Sequence, residues 1–379
     1  MTLAALDELN LKGKAVLLRF DGDVPVANGV IQDDYRLKAV LPTIQTCLAR
    51  GARVILITHR GRPDGKPVAD LSTEILEPYL TQSLGQKVVF CPELPSWSLA
   101  HPIVLLENLR FYKGEEQNSA TFARGFDDIS DVYVNDAFAV SHRAHASFDA
   151  IPRLLPRAAG LRLQEEVRQL TPLRNDPDAP YAVVMGGAKA EDKLPIVWDL
   201  LDSADTFIFG GLIAVTYLAA MQQPTGDHKV DPKEVDFARK CIRHMQEHKI
   251  ELVLPVDYIN QDGAVRPLMT MPSHDLMLDI GPESQKQFAR ALTRSNIIFW
   301  NGAMGKFEDT RFAGGTTAVA RAIETSGAEM RIASGGDTVS AIHQHRLEDA
   351  FTFISTGGGA TLEFIAGRDL PGIKILEKE

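Results

Sequence analysis

Short apolar runs recur along the chain, each followed by a polar or glycine-containing loop and then by residues with helical spacing. In the first half these runs are AVLLRF (15–20), RVILIT (53–58), KVVFC (87–91), IVLLE (103–107) and DVYVN (131–135). In the second half they are YAVVM (181–185), TFIFG (206–210), ELVLP (251–255), NIIFW (296–300), MRIAS (330–334) and FTFIS (351–355). Their continuous apolarity predicts strands buried on both faces, and their alternation with helices predicts parallel α/β architecture. Between Asp34 and Arg50, the residues Leu37, Val40, Leu41, Ile44 and Leu48 share one helical face, and Gly51 stands where a left-handed C-terminal cap belongs.

Two groups of strands imply two sheets, and 379 residues are too many for one ordinary core. The expected fold is therefore α/β, with two Rossmann-like parallel-sheet domains, helices on both faces, and an interdomain helix between them. The charged amphipathic stretch GLRLQEEVRQL (160–170) predicts that helix, and TPLRNDPDAP (171–180) predicts a linker after it.

Composition narrows the function. The 40 basic residues are outnumbered by 50 acidic ones, a net charge of −10 that argues against a nucleic-acid binder. No apolar run is long enough for a membrane span, and MTLAALDELN lacks the basic and apolar segments of a secretory signal. Cys47, Cys91 and Cys241 are scattered and form no metal-ligand spacing, so they read as reduced thiols of a cytoplasmic protein. An acidic exterior repels anionic substrates unless the cations are gathered in one place.

The residues after each strand supply that gathering, because ligands of open parallel sheets sit at the carboxyl ends of strands. The first-half strands run into Asp21-Gly22-Asp23, His59-Arg60-Gly61-Arg62, Asn108-Leu109-Arg110, and Asp136 followed by Ser141-His142-Arg143; Arg36 opens the helix after the first strand. Any one of these cations reads as a surface charge. Repeated at strand ends, Arg36, His59, Arg62, Arg110 and Arg143 suit a small ligand with several anionic groups. The second-half strands run instead into Gly186-Gly187-Ala188-Lys189, Gly210-Gly211, Asn301-Gly302-Ala303-Met304-Gly305, Gly335-Gly336-Asp337-Thr338 and Thr356-Gly357-Gly358-Gly359. Glycines there allow close backbone approach to a nucleotide, and the helix starts that follow offer free N–H groups to phosphates. Asp337 at a helix start reads as an N-cap or as a magnesium ligand. Lys189 and Lys193, four apart at another helix start, are expected to share a face, in a helix that admits Pro195 in its first turn. The chain has neither GxGxxG nor GxxxxGK[ST], so it does not read as a dehydrogenase or a P-loop enzyme.

In this order, THRGRPDGK (58–66), LLENLRF (105–111), VYVNDAFAVSHRAHAS (132–147), GGAKAEDK (186–193), WNGAMGKFE (300–308), GGDT (335–338) and STGGGATLE (355–363) resemble phosphoglycerate kinase. The resemblance runs from RFDGDVP (19–25) to DLPGI (369–373). It implies a phosphoglycerate-binding domain over 1–159 joined by the returning residues 364–379, a connector over 160–175, and a nucleotide-binding domain over 176–363. The implied substrate site comprises Asp21, Gly22, Asp23, Arg36, His59, Arg60, Gly61, Arg62, Arg110 and Arg143. The nucleotide site comprises Lys193, Gly211, Asn301, Glu308, Gly335, Gly336, Asp337 and Thr338, with Asp337 nearest a magnesium ion that accompanies ATP or ADP. Arg36, Lys189 and Lys193 are the implied catalytic residues. The partners implied are 3-phosphoglycerate or 1,3-bisphosphoglycerate and ATP or ADP, bound by a monomer with no nucleic acid and no membrane.

The implied reaction is reversible in-line transfer between the acyl phosphate of 1,3-bisphosphoglycerate and ADP. It needs no general base, and it needs domain closure to bring the ligands together. The sequence departs from the family's usual residues at Gly22 (phenylalanine), Asp23 (asparagine), Arg60 (leucine), Leu212 (glycine), Ala303 (proline) and Ser334 (glycine). A direct ion pair between Asp23 and Arg60 is expected to offset the added carboxylate; two unrelated solvent-facing charges are the alternative. The departures leave two other readings open, a non-catalytic nucleotide- or metabolite-binding protein on the same scaffold and a kinase for a different small acid.

Overall fold

The structure, a computed structural model, describes residues 1–93, 101–174 and 177–378. The chain divides into two compact units. One holds Met1–Thr171 with the residues from Arg368 onward, and the other holds Pro172–Gly367.

The sheet of the first unit is built from β1 (Ala15–Phe20), β2 (Arg53–Ile57), β3 (Val89–Cys91), β4 (Ile103–Leu106), β5 (Val132–Asp136) and β6 (Arg157–Ala159). Their order is β3-β4-β2-β1-β5-β6, and every neighbour is parallel. Along β1, Val16, Leu18 and Phe20 join one core cluster, with Leu37, Val40 and Ile44 of helix α1 (Tyr35–Ala49). Ala15 and Leu17 join a second cluster on the other face, with Phe126, Ile151 and Leu155. This is why the run is apolar without alternation: each face is buried, and each fully buried leucine contributes roughly 1.5–3 kcal/mol. Helix α1 stops at Arg50, and Gly51 follows at φ 79°, as the spacing predicts.

Both chain ends belong to this unit. Ala5 bridges to Ala159 of the edge strand β6, and Leu3 bridges to Glu377. Ala4 N–H donates to the Leu376 carbonyl at 2.8 Å, Asn135 Nδ2 to the Gly372 carbonyl at 2.9 Å, and Arg157 Nε to the Ile375 carbonyl at 2.7 Å.

The connecting helix α2 spans Leu161–Arg174, so the helix continues four residues past the expected boundary and includes Pro172. Leu163, Val167, Leu170 and Leu173 are all buried and continue one apolar stripe, which outweighs the missing proline N–H. Its first turn is held by Leu161 N–H on Thr43 Oγ1 at 3.0 Å and by Leu163 N–H on Asp136 Oδ1 at 2.9 Å. Of the expected linker, residues 175–176 lie outside the described residues, as does residue 379 of the returning segment. The unit boundaries fall at Thr171/Pro172, inside the expected connector of 160–175, and at Gly367/Arg368, four residues past 363/364. Helix formation through Ile365, with Phe364 and Ile365 buried, keeps the latter residues with the second unit.

In the second unit the sheet is β7 (Tyr181–Met185), β8 (Thr206–Phe209), β9 (Glu251–Val253), β10 (Ile297–Asn301), β11 (Met330–Ser334) and β12 (Phe353–Ile354). The order is β9-β8-β7-β10-β11-β12, parallel throughout, so the winding direction reverses between β7 and β10. A small antiparallel sheet of Val265–Pro267, Asp257–Ile259 and Asp279–Ile280 adds to this unit. Among the described residues no helix is long and apolar enough to cross a membrane.

Candidate active site

In the first unit a cavity of about 370 Å³ is lined by Arg36, His59, Arg62, Arg110, His142, Arg143 and His145, with Asp23 and Glu116 as its acidic members. All five basic residues expected from the strand ends therefore meet in one place. His142 and His145 join them without having been assigned a role. Arg62 and Arg143 are exposed, so two guanidinium forks face the opening.

The floor is more rigid. Arg36 Nε sits 3.2 Å from Asp21 Oδ2 while its Nη1 donates to the Asp23 carbonyl at 2.9 Å. Burial pushes the Asp21 carboxyl pKa up, and the Arg36 charge opposes that shift. Asp23 Oδ1 accepts from Gly61 N–H at 2.9 Å, and Arg110 Nη1 donates to the Gly61 carbonyl at 2.8 Å. Gly61 adopts φ 60°, and a Cβ there would lie 2.7 Å from Leu71. The loop carrying His59 and Arg62 thus has its glycine gripped on both backbone polar groups.

Arg19 is the functional neighbour that strand patterning conceals. It lies on the Leu17 face of β1, 1% exposed, where the pattern calls for another aliphatic residue. Its Nε donates to Ser147 Oγ at 3.2 Å, its Nη1 to the Phe20 carbonyl and to Thr58 Oγ1, and its guanidinium stacks 4.8 Å from the Phe148 ring centroid. Buried Glu115 accepts from Ser147 N–H at 2.9 Å and from Ser147 Oγ. A lone arginine inside an otherwise aliphatic run was the available signal. Burial, then Arg19, Arg110, His145 and Arg36, hold the His59 pKa well below the ordinary imidazole value. Burial and neighbouring guanidinium groups likewise lower His142 and His145 to about 4. The cavity's positive charge therefore comes from arginines, while burial and those arginines hold its histidines toward the neutral form.

Two expectations are corrected here. Arg60 does not line this cavity and makes no ion pair with Asp23: it is 5% exposed, and its Nη1 donates to the carbonyls of Asp70 at 3.1 Å and Ser72 at 2.7 Å. Those two carbonyls offer fixed acceptors, whereas Asp23 is already committed to Gly61 N–H. Gly22 has no room for a larger residue, since a Cβ would lie 2.7 Å from Thr58 Oγ1 and 2.9 Å from Leu76 Cδ1.

In the second unit the glycine loops interlock at the reversal between β7 and β10. Gly186 N–H donates to the Asn301 carbonyl at 3.0 Å, Gly187 N–H to the Ala303 carbonyl at 2.7 Å, and Gly302 N–H to Thr338 Oγ1 at 2.6 Å. Gly302 adopts φ 97°, and a Cβ there would lie 2.3 Å from the Gly186 carbonyl oxygen. Lys193 Nζ donates to that same carbonyl. Burial lowers the Lys193 pKa to about 8, against the raising influence of Asp337 and Asp192.

Lys189 and Lys193 do not share a helical face. Helix α3 spans Leu194–Leu200, so Lys193 occupies its N-cap position and Lys189 precedes it in an exposed loop. Pro195 lies in the first turn of α3, as expected. Lys189 instead lines a cavity of about 300 Å³ with Ala188, Val215, Val230 and Leu212, one of the unusual residues. Leu212 N–H donates to the Gly187 carbonyl at 2.9 Å, and Gly211 opens helix α4 (Gly211–Ala220). Gly335, not Asp337, is the N-cap of α5 (Gly336–His345) and adopts φ 102°. Asp337 is exposed in the first turn, and Asn301 Nδ2 braces the junction by donating to the Ser334 carbonyl at 3.0 Å. Glu308 is exposed in the loop after β10.

The chain is thus a two-unit parallel α/β protein with a basic cavity in one unit and interlocked glycine loops in the other. The phosphoglycerate kinase family model matches residues 6–368. The phosphoglycerate kinase of Pelotomaculum thermopropionicum is 38% identical over 391 residues, covering 99% of each chain. That of Moorella thermoacetica is 39% identical over 394 residues, covering 100% of each chain. The solved phosphoglycerate kinase of Coxiella burnetii superposes with a TM-score of 0.87 at 35% identity, covering 99% of each chain. The chain belongs to the phosphoglycerate kinase family and is a phosphotransferase.

Proposed function

We propose that this protein catalyses reversible phosphoryl transfer between 1,3-bisphosphoglycerate and ADP, giving 3-phosphoglycerate and ATP. The observation that carries the reading is the cavity of about 370 Å³ in which four arginines and three histidines meet. A three-carbon acid with a phosphate at one end and a carboxylate or acyl phosphate at the other matches that volume and charge. Exposed Arg62 and Arg143 suit the phosphate, and Arg36, braced on Asp21, suits the reacting end.

The nucleotide belongs to the second unit. Lys193, Gly211, Gly335, Gly336 and Thr338 serve its phosphates, Glu308 its ribose, and the cavity beside Ala188, Leu212, Val215 and Val230 its base. Lys189 stands free to follow the transferred group. Among the described residues no cluster of three His, Cys, Asp or Glu side chains is arranged to hold a metal. Magnesium bound mainly by nucleotide phosphates needs only one or two protein carboxylates, and Asp337 fits that role. When bound, the ion neutralises phosphate charge. The carboxylate of 3-phosphoglycerate is already a nucleophile, so the protein's task is to align it, neutralise charge with Arg36 and the lysines, and exclude water. Ligands held by separate units must meet for transfer, the role we assign to hinge closure.

A coupled assay with 3-phosphoglycerate, ATP and magnesium tests the reading. ADP should form only when all three are present. A protein that binds ATP but forms no ADP, or that prefers another small acid, overturns it.

A further inference from the structure

Arg60 sits between His59 and Gly61 in the loop that serves the basic cavity, yet it lines a second cavity of about 840 Å³, which shares Asp23 with the first. It is 5% exposed. Its Nη1 holds the Asp70 carbonyl at 3.1 Å and the Ser72 carbonyl at 2.7 Å. Its own carbonyl accepts from Asn108 Nδ2 at 2.7 Å, and the same amide donates to the Leu71 carbonyl at 2.9 Å. One clamp therefore ties the loop to the 70–72 segment through side chain and backbone together.

Hydrogen bonding alone does not account for an arginine here. Its Nε has no partner among the described residues, and burial depresses its pKa, so the site imposes a desolvation cost that an aliphatic side chain would avoid. An aliphatic residue lacks two things: donors for both carbonyls, and a positive charge within electrostatic range of Asp23, Glu107 and Asp70. Asp23 is the member that matters for function. Its side chain is 41% exposed, 3.8 Å from His59 Nε2, on the wall of a cavity suited to anions.

We propose that Arg60 is a positioning residue for substrate affinity: it anchors the His59–Arg62 loop to residues 70–72 and offsets the Asp23 carboxylate, without touching the substrate. The proposal rests on the basic cavity being the phosphoglycerate site. It replaces the direct Asp23–Arg60 ion pair by two separate effects. The geometric one keeps Gly61, His59 and Arg62 in register with Arg110. The electrostatic one lowers the repulsion between the Asp23 carboxylate and an incoming phosphate, at a position where Asp23 is 41% exposed and solvent screens part of its charge.

The test is calorimetric titration of 3-phosphoglycerate, without nucleotide, into the full chain and its Arg60→Leu, Arg60→Lys, Asp23→Asn and Asp23→Asn/Arg60→Leu variants, alongside the KM for ATP of each. Arg60→Leu should weaken 3-phosphoglycerate binding about tenfold, equivalent to about 1.4 kcal/mol. Arg60→Lys, which keeps the charge, should stay within about threefold of wild type, and Asp23→Asn should recover at least about half of the Arg60→Leu loss in the double variant. The KM for ATP should be unmoved in all of them, which separates positioning from general damage. Unchanged affinity in Arg60→Leu, an equal loss for ATP, a lysine variant as weak as the leucine one, or strictly additive double-variant effects overturn the proposal. Failure of the substrate reading looks different: wild type then takes up no 3-phosphoglycerate at all.

Discussion

Arg19 Nη2 and His59 Nδ1 are 2.9 Å apart, and this contact sets the tautomer of the histidine at the floor of the basic cavity. A guanidinium only donates, so Nδ1 accepts and the ring proton resides on Nε2, the nitrogen 3.8 Å from Asp23 Oδ2. The histidine is thereby a fixed neutral donor.

Arg19→Met should remove the main positive charge acting on buried Glu115, leaving it Ser147 and the more distant Arg110, and release the His59 ring. Loss of one partner from a buried charged network typically costs about 3–5 kcal/mol, and that is the expected drop in unfolding free energy. Urea unfolding measures it. Arg19→Met/Glu115→Leu should regain part of the loss, and a double variant no better than the single would show that charge is not the cause.

Acid should destabilise the fold through His142 and His145. Their folded pKa values of about 4 lie below the ordinary imidazole value of 6.5, so the unfolded chain binds more protons as pH falls between those limits. Their contribution therefore weakens on acidification, while carboxyls raised by burial, Asp136 to about 6 and Asp279 to about 7, act in the opposite direction. Comparing variants with wild type isolates the histidines. Between pH 7 and pH 5, His142→Gln and His145→Gln should each lose less stability than wild type in chemical denaturation, by up to about 1 kcal/mol once solvent screening of these half-buried rings is discounted.

With Lys193 serving the nucleotide phosphates as proposed, nucleotide affinity should be sensitive to alkaline pH. At a pKa of about 8, Lys193 loses its charge well before an ordinary lysine. The KM for ATP should rise above that pH, approaching about tenfold per unit at the steepest. Asp337→Asn removes a charge that raises the Lys193 pKa, so it should move the break to lower pH. In Lys193→Gln the profile should be flat; a break that persists there would assign it to another group.

Arg36→Ala should lower kcat by ~10³-fold or more, the scale of arginines that stabilise phosphoryl transfer. The KM for 3-phosphoglycerate should change much less. A raised KM with intact kcat would make Arg36 a binding residue only. Because Arg36 also sits 3.2 Å from buried Asp21, the kinetic constants should be measured beside a melting curve.

The strands were legible because parallel sheets buried on both faces need unbroken apolar runs, and β1 and β7 are such runs. The cation set was legible because parallel sheets place it after the strands. What escaped depended on packing that spacing does not encode. Arg19 hides in AVLLRF because its charge is satisfied by Glu115, Ser147 and Phe148, all distant in sequence. Arg60 looked available for Asp23 because the carbonyls of Asp70 and Ser72 leave no trace in side-chain identity. The helical face expected for Lys189 and Lys193 failed because α3 begins one residue after the second lysine.

The closure of the first unit by the chain's last residues has a consequence for synthesis. Asn135 waits for the carbonyl of Gly372, Arg157 for that of Ile375, and Ala4 for that of Leu376. The whole of the second unit, Pro172–Gly367, leaves the ribosome before any of those partners exists. The half of the molecule translated first is therefore the half completed last, since these three contacts form only after the other unit has been made. A chain interrupted before Gly372 therefore loses contacts of the amino-terminal unit, although the break lies next to the other unit in sequence.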